Sequence, residues 1–414
     1  MKRLLVNLGP LVHLSGNGPI AGELSDETSH RLPAGMAILV NEHVIEKIDP
    51  EEDLIEEYQG IETIDLEGKA VIPGLVDAHT HLLWAGDRSR EISWKLQGMS
   101  YRQIADKGGG IAYTVEQTRN LPDSELTKLG IKRMKQALRN GTTHLEAKSG
   151  YGLTTESELK LLEIAETISA VENIPTLDLT WMGAHAAPPG ESIESYFESV
   201  ISDQLPNVIE QGIARSVDVF CEPGWFSIEQ SEDLLKESKN NGLDLRIHID
   251  EFEDGGGGDL AAELGVQTAD HAYYTDLDTR IKMANSDVMT GFLPGTPYSM
   301  GEPYPDFHEC IANNVQWSIA TDFNPNCRTL SLPFIASILV QRNEITPITA
   351  LAACTRNSAH TTPHPSGLQH GQICEGGIAN LNIIDGPYWE AWCVQPGHSP
   401  FSATMLEGKI CLLY

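Results

Sequence analysis

The chain has 414 residues and carries 28 lysines and arginines against 59 aspartates and glutamates, a formal net charge of −31. An acidic excess of this size repels nucleic acids and anionic membrane surfaces, so we expect neither as a partner. No apolar run reaches the roughly 18 residues that a membrane span needs. The seven cysteines are scattered and none shows C-x-x-C spacing. This pattern favours a reducing compartment, and we therefore expect a cytoplasmic protein.

Short strands separated by turns are predicted at both ends of the chain. Neither end has enough apolar residues to form a core of its own. We therefore predict that residues 1–70 and 366–414 pair into one small composite β-domain, a β-sandwich. The predicted strands are Leu4–Asn7, Ala37–Val40, Val44–Ile48 and Thr63–Asp65 at the start, and Ile378–Ile384, Ser402–Leu406 and Lys409–Leu412 at the end.

Between these ends, strand-like runs alternate with amphipathic helical stretches such as Glu125–Arg139, Glu156–Ile168 and Ile228–Ser238. Eight such units are typical of a (β/α)₈ barrel, which we predict for residues 71–365. In that fold the active site lies at the C-terminal ends of the strands. The predicted strands span residues 71–79, 142–148, 175–185, 216–222, 245–250, 268–273, 288–294 and 316–322.

Residues with metal-ligating side chains lie at several of these strand ends. His79 and His81 are two positions apart, so their side chains point the same way in an extended chain. His248, His271 and Asp322 each lie near the end of a later strand. One such histidine pair is weak support on its own, but the joint pattern predicts a metal centre, since imidazole and carboxylate groups suit first-row metals.

An ion held by three neutral imidazoles and one carboxylate lowers the pKa of a bound water toward about 7 and so supplies hydroxide. Asp322, Glu251 and His271 are the candidates for the group that takes the water proton. On the second predicted strand, His144, Glu146 and Lys148 share one face, and we predict that they form a buried polar network inside the barrel.

The predicted barrel and its ligand set resemble the metal-dependent amidohydrolase superfamily. The loop sequences are more specific, and over about residues 35–385 they resemble imidazolonepropionase, the ring-opening enzyme family of histidine degradation. The motifs that carry this resemblance are Asp87-Arg88, Met99–Ile111, Glu146–Gly152, Gly183–Pro189, Val217–Glu222 and Leu293–Gly295.

The resemblance implies one zinc or iron ion per chain and a role for each of several residues. The implied metal ligands are His79, His81, His248 and Asp322. Catalytic roles are implied for Glu251, His271, Asp322 and His185. The implied substrate contacts are Arg88, Tyr101, Tyr151, His185, Glu251, Asn324, Asn326 and Cys327. Many family members have glycine and threonine at the last two of these positions, so this chain departs from the family pattern there.

We therefore expect hydrolysis of 4-imidazolone-5-propanoate to N-formimidoyl-L-glutamate by a metal hydroxide, in a homodimer that binds a small anionic substrate. One alternative is deamination of a guanine-like or triazine-like ring by the same ligand set. The other is a non-catalytic amidohydrolase-like scaffold, which the intact ligand set disfavours.

Overall fold

The computed structural model of the protein describes residues 1–24, 27–99, 103–104 and 107–412. Strands form where β-branched and other apolar residues follow one another, and most of these runs are buried on both faces, as a barrel with covering helices requires. The strands are β1 Lys2–Val6, β2 Leu11–Val12, β3 Arg31–Leu32, β4 Met36–Asn41, β5 Val44–Pro50, β6 Glu62–Asp65, β7 Val71–Pro73, β8 Leu75–Asp77, β9 Thr142–Lys148, β10 Thr176–Ala184, β11 Ser216–Cys221, β12 Asp244–Ile249, β13 Thr268–His271, β14 Met289–Phe292, β15 Trp317–Ile319, β16 Leu381–Ile384, β17 Phe401–Leu406 and β18 Lys409–Leu412.

Strands β8 to β15 form one parallel sheet of eight strands in sequence order within the described chain. The sheet closes into a barrel just beyond the first and eighth strands, where Thr80 pairs with Phe323 in a parallel bridge. The Asp322 amide donates to the His79 carbonyl at 3.1 Å, and the His81 amide donates to the Phe323 carbonyl at 2.9 Å. The predicted (β/α)₈ fold is confirmed, and the barrel closes at three of the predicted metal ligands.

Helices cover the outside of the barrel. Their apolar side chains, among them Leu126, Met134 and Leu234, are buried with the strand residues in one core. Ser227 and Gln230 form a capping box that begins the helix after β11. No helix in the described ranges is long and apolar enough to cross a bilayer. The helices are α1 Glu51–Glu57, α2 Glu91–Leu96, α3 Gly110–Asn120, α4 Asp123–Arg139, α5 Thr155–Ser169, α6 Ile193–Ser199, α7 Leu205–Gln211, α8 Ile228–Asn240, α9 Gly257–Leu264, α10 Leu277–Asn285, α11 Gly295–Met300, α12 Phe307–Ala312, α13 Leu332–Asn343, α14 Pro347–Ala353 and α15 Arg356–Thr361.

The remaining strands form two sheets beside the barrel. A four-stranded sheet has the order β5-β4-β1-β6, and a six-stranded sheet has the order β18-β17-β16-β7-β2-β3. Leu5 and Ile38 from the start of the chain share a buried core with Leu381 and Met405 from its end. Both chain ends therefore build the small β-sandwich that accompanies the barrel, while the domain limits at residues 70 and 366 stay a prediction.

Gly74 divides the segment that we predicted as a single strand over residues 71–79. Strand β7 before it pairs with β16 in the six-stranded sheet, and β8 after it pairs with β9 in the barrel. A Cβ atom at Gly74 would lie 2.4 Å from Thr143 Oγ1, so only glycine fits where the chain crosses between the sheets. His79 and His81 consequently lie just past the barrel strand.

Candidate metal centre and substrate cavity

Three imidazoles and one carboxylate meet at the C-terminal end of the barrel. The ligand atoms of His79, His81 and His248 lie within 4.8 Å of one another, and all three side chains are buried. Asp322 Oδ1 lies 3.7 Å from His79 Nε2 and 3.8 Å from His81 Nε2. The structure thus brings together all four residues that we predicted as metal ligands.

Two buried carboxylates orient these imidazoles. His79 Nδ1 lies 2.7 Å from Asp270 Oδ2, and His248 Nδ1 lies 3.0 Å from Asp218 Oδ1. Because an ionised carboxylate accepts from Nδ1–H, each Nε2 keeps a lone pair for a cation. Both Nε2 atoms are buried and have no hydrogen-bond partner among the described residues, which costs about 1–3 kcal/mol each unless an ion or water satisfies them. The cluster therefore fits a metal ion.

Burial sets the charge state of the cluster. It lowers the pKa of His79 and of His81 well below the usual histidine value, and the charge of the nearby Lys148 lowers both pKa values further. Neutral imidazole is the form that ligates a metal. Burial also raises the pKa of Asp322 to about 6, although hydrogen bonds from Thr296 and Asn324 oppose the shift.

Glu251 and His271 form a second pair next to the cluster. His271 Nε2 lies 3.7 Å from Glu251 Oε2, and the His271 ring centroid is 5.1 Å from that of His248. Burial raises the pKa of Glu251 well above its usual value, and the charges of Asp322 and Glu222 add to this effect. His271 and Asp322 both have positive φ, 68° and 50°, and such backbone strain is concentrated at functional sites.

Glu222 fixes the loop that carries Glu251. Its carboxylate accepts from the backbone amides of Glu251 and Phe252, at 2.9 Å each, and of Glu253 at 3.1 Å. We did not predict this role, although Glu222 ends a motif that we singled out.

His185 stacks on His81 with ring centroids 5.0 Å apart and an interplanar angle of 18°. Its Nδ1 lies 2.8 Å from the Gly150 carbonyl oxygen and therefore carries the hydrogen. Burial lowers the pKa of His185 to about 4, so the ring is neutral near pH 7 and its Nε2 is an acceptor. In this tautomer, His185 Nε2 is suited to accept from a substrate N–H. It carries no hydrogen to donate to a substrate carbonyl group.

A cavity of about 580 Å³ opens above His79, His81, His248 and Asp322, which together we call the metal cluster. Its wall combines aromatic and aliphatic side chains, including Phe220, Trp225 and Ile111, with a few polar groups. Tyr101 is one of the predicted substrate contacts and lies outside the described residues. All the other predicted contacts line the cavity: Arg88, Tyr151, His185, Glu251, Asn324, Asn326 and Cys327.

Arg88 is buried and held by an ion pair that the sequence analysis missed. Its Nε and Nη2 donate to the two carboxylate oxygens of Glu91, each at 2.9 Å. Glu91 Oε1 also accepts from the Gly110 amide at 2.8 Å, which ties the loop after β8 to the start of α3. This pairing fixes the guanidinium at the cavity wall.

Asn324 shapes the loop after β15. Its side-chain oxygen accepts from the amides of Asn326 at 2.7 Å and Cys327 at 3.1 Å. The Cys327 thiol donates to the Thr321 carbonyl oxygen at 3.5 Å, and burial raises its pKa to about 12. Cys327 is therefore a neutral thiol that contributes to the shape of the cavity wall.

The predicted network on β9 is present only in part. Lys148 Nζ lies 2.9 Å from Glu146 Oε1, and both side chains are buried. His144 contacts other groups: its Nδ1 lies 2.8 Å from Thr176 Oγ1, and its ring packs against those of His364 and His370. It lies near the opposite end of the strand, so it takes no part in the Lys148 network. His364 and His370 are themselves buried.

Comparisons with known proteins agree with this geometry. A sequence model of the Amidohydrolase family matches residues 62–158. Solved structures with the same fold include an adenosine deaminase from Xanthomonas campestris with bound Zn, at a TM-score of 0.69 and 16% identity over 99% of this chain and 93% of that one. Another is a mutant of the atrazine chlorohydrolase TrzN from Arthrobacter aurescens TC1, complexed with zinc and atraton, at a TM-score of 0.69 and 14% identity over 99% and 95%. The fold and the matched segment are thus similar to those of the amidohydrolase class.

Closer relatives refine this assignment. The chain is 41% identical over 399 residues to the imidazolonepropionase of Desulfotalea psychrophila, covering 94% of this chain and 95% of the relative. It is 35% identical over 397 residues to that of Haloarcula marismortui, covering 94% and 93%. The chain therefore belongs to the imidazolonepropionase family.

Proposed function

We propose that this protein hydrolyses 4-imidazolone-5-propanoate to N-formimidoyl-L-glutamate in L-histidine degradation. The convergence of three imidazoles and Asp322 beneath a cavity that Arg88 also lines carries this proposal. In the reaction, a water oxygen bonds to the ring carbonyl carbon and the ring C–N bond breaks. The departing nitrogen takes a proton, and the product gains a carboxylate.

We assign a zinc or iron ion to the site, with His79, His81, His248 and Asp322 as its ligands. When bound, such an ion supplies Lewis acidity, which lowers the pKa of water and polarises a carbonyl group. A donor set of three imidazole nitrogens and one carboxylate suits both ions. Metal analysis of protein purified without added metal decides between them.

Proton transfer is assigned to the acidic groups around the cluster. Asp322 takes the water proton on its carboxylate, whose Oδ2 is held by the Thr296 hydroxyl. Glu251 lines the cavity and lies within 3.7 Å of His271 Nε2, so this pair can carry a proton to the departing nitrogen. The raised pKa of Glu251 favours a carboxyl group that holds a proton near neutral pH.

Substrate binding follows from the groups on the cavity wall. Arg88 is the cation that pairs with the propionate, in a position fixed by Glu91. His185 Nε2 accepts a ring N–H. Tyr151 packs against both His185 and His81, with ring centroids 5.1 and 5.7 Å apart, and borders the same space. Contacts from Tyr101, Asn324, Asn326 and Cys327 stay predictions.

The direct test incubates the purified, metal-replete protein with 4-imidazolone-5-propanoate and follows the ring absorbance. We expect decay of the absorbance with stoichiometric formation of N-formimidoyl-L-glutamate. Guanine and a triazine serve as controls, with ammonia release as the readout. Ammonia from either ring combined with a stable imidazolone signal would replace this proposal with the deaminase alternative.

We also propose a homodimer and a cytoplasmic location, both of which rest on the sequence. Light scattering on the eluting protein tests the first, since a dimer has twice the mass of the 45.3 kDa chain. Fractionation of the source cells tests the second.

A further inference from the structure

Lys148 lies at the centre of the buried polar groups beneath the metal cluster. Its side chain is fully buried, and its Nζ lies 2.6 Å from Asp218 Oδ2 and 2.9 Å from Glu146 Oε1. Asp270 Oδ2 is 3.9 Å away. One ammonium group therefore faces three buried carboxylates that come from three different barrel strands.

Each of these carboxylates also contacts a segment that holds a proposed ligand. The second oxygen of Asp218 accepts from His248 Nδ1, and Asp270 accepts from His79 Nδ1. Glu146 Oε2 accepts from the Thr80 amide at 3.2 Å, and its backbone carbonyl accepts from the Thr80 hydroxyl at 2.6 Å. His79 and His248 therefore connect to Lys148 through one carboxylate each, whereas His81 connects to it through Glu146 and the neighbouring Thr80.

The positive charge of Lys148 stabilises the ionised carboxylates that make these contacts. Three carboxylates buried together repel one another and lose hydration, and a cation among them offsets both costs. Ionised Asp218 and Asp270 accept from Nδ1–H, which fixes the tautomer whose Nε2 lone pair faces the cluster. Lys148 holds Asp218 by a hydrogen bond and offsets the charge of Asp270, whose Oδ1 also accepts from the Thr268 hydroxyl at 2.6 Å.

We propose that Lys148 is a positioning residue that orients His79 and His248 for the metal through Asp270 and Asp218. This inference rests on the proposed ligand set and deepens it. Lys148 contacts neither the cavity nor any proposed ligand at hydrogen-bond distance in the described structure. Its effect is therefore on the affinity for the metal, which can be measured without substrate.

The test uses the double variant E146Q/K148M of the full chain, which removes one negative and one positive charge together. The measured quantity is the zinc dissociation constant of the metal-free protein, by competition with a chromogenic chelator. We expect zinc binding about 10- to 100-fold weaker than in the wild type, the usual effect of removing a group that supports a metal ligand. Unchanged affinity would overturn the inference.

A matched control is Arg215→Met, which removes a partly buried cation near the other end of the same barrel. Arg215 pairs with Asp178 through both carboxylate oxygens and also with Asp244. This variant should lower the thermal midpoint and leave the zinc affinity unchanged. An equal loss of zinc affinity in both variants would show a general loss of stability and would also overturn the inference.

Two further variants complete the design. His248→Ala tests the ligand set itself, and wild-type zinc affinity in this variant would refute the ligand assignment. If His248→Ala loses zinc affinity while E146Q/K148M binds zinc like the wild type, only the role of Lys148 is refuted. Asp218→Asn keeps the volume of the side chain and serves if E146Q/K148M does not fold. It should show the same loss of zinc affinity, and wild-type affinity in this variant would contradict the proposal.

Discussion

Buried histidines whose rings contact one another lie at both ends of the barrel. The metal cluster at the C-terminal end contains His79, His81 and His248, and the basal cluster near the N-terminal end contains His144, His364 and His370. Ring centroids are 4.6–5.8 Å apart in the metal cluster and 5.0–5.5 Å apart in the basal cluster. The distances between ring centroids therefore do not distinguish the two clusters.

The metal cluster and the basal cluster differ in the groups that hydrogen-bond to the histidine rings. Across the described residues, three histidine ligand atoms come within 4.8 Å of one another in the metal cluster alone. Carboxylates accept from two of its Nδ1 atoms, whereas in the basal cluster Nδ1 of His144 and of His364 face the hydroxyls of Thr176 and Ser366. The proposed metal ligands thus differ from the packed histidines in the buried carboxylates that fix their tautomer and direct their free nitrogens toward one point.

The largest expected effect is on metal content. His248→Ala should lose most of the bound metal, because one of four ligands and the Asp218 contact are removed together. His370→Ala, the matched change in the basal cluster, should keep about one ion per chain. Elemental analysis of both purified variants checks this pair, and full metal occupancy in His248→Ala would show that the ligand set is wrongly assigned.

Asp322→Asn should lower kcat by about 10²- to 10⁴-fold, since a neutral amide does not accept the water proton. It also weakens the hold on the metal, so metal content must be measured on the same sample. The matched change Asp178→Asn, at the far end of the barrel, should affect the thermal midpoint more than kcat. Near-normal turnover with normal metal in Asp322→Asn would move the base to Glu251 or His271.

Arg88→Ala should lower kcat/KM by about 10- to 200-fold, because a charge-assisted pair with a carboxylate contributes about 1.5–3 kcal/mol. An analogue whose propionate is replaced by a neutral amide is the control substrate. Wild type should disfavour the analogue by a similar factor, and the variant should barely distinguish the two. Undiminished discrimination by the variant would mean that another group holds the carboxylate.

Glu91→Gln sharpens this test. It leaves the cation at Arg88 in place but weakens its fixation, so kcat/KM should fall less than in Arg88→Ala. The steady-state parameters of the two variants, measured side by side, separate the charge of the guanidinium from its placement.

Cys327→Ser should change kcat/KM by less than about tenfold, which corresponds to about 1.4 kcal/mol. The neutral thiol donates to a backbone carbonyl, and a serine hydroxyl can do the same. Steady-state kinetics on the variant check this expectation. A larger loss would show that the sulfur contacts the substrate.

The barrel could be predicted because most of its strands are runs rich in apolar and β-branched residues, and the proposed ligands because they lie in or just past the ends of such runs. The division of the segment at Gly74 could not, since it depends on the close approach of Thr143 from a distant part of the sequence. The roles of Asp218 and Asp270 could not be predicted for a similar reason. Each is a single aspartate within a strand, and only the fold brings it within hydrogen-bond distance of His248 or His79. The positive φ of Asp322 could not be predicted either, and it occurs where the Asp322 amide donates to the His79 carbonyl at the closure of the barrel.

We expect one metal ion to bind at the metal cluster and none in the basal cluster. Anomalous diffraction from crystals of the full chain, recorded on both sides of the zinc and iron absorption edges, locates the ion directly. We expect one peak per chain among His79 Nε2, His81, His248 Nε2 and Asp322. A peak among His144, His364 and His370, or a metal-replete active enzyme without a peak at Asp322, would contradict it.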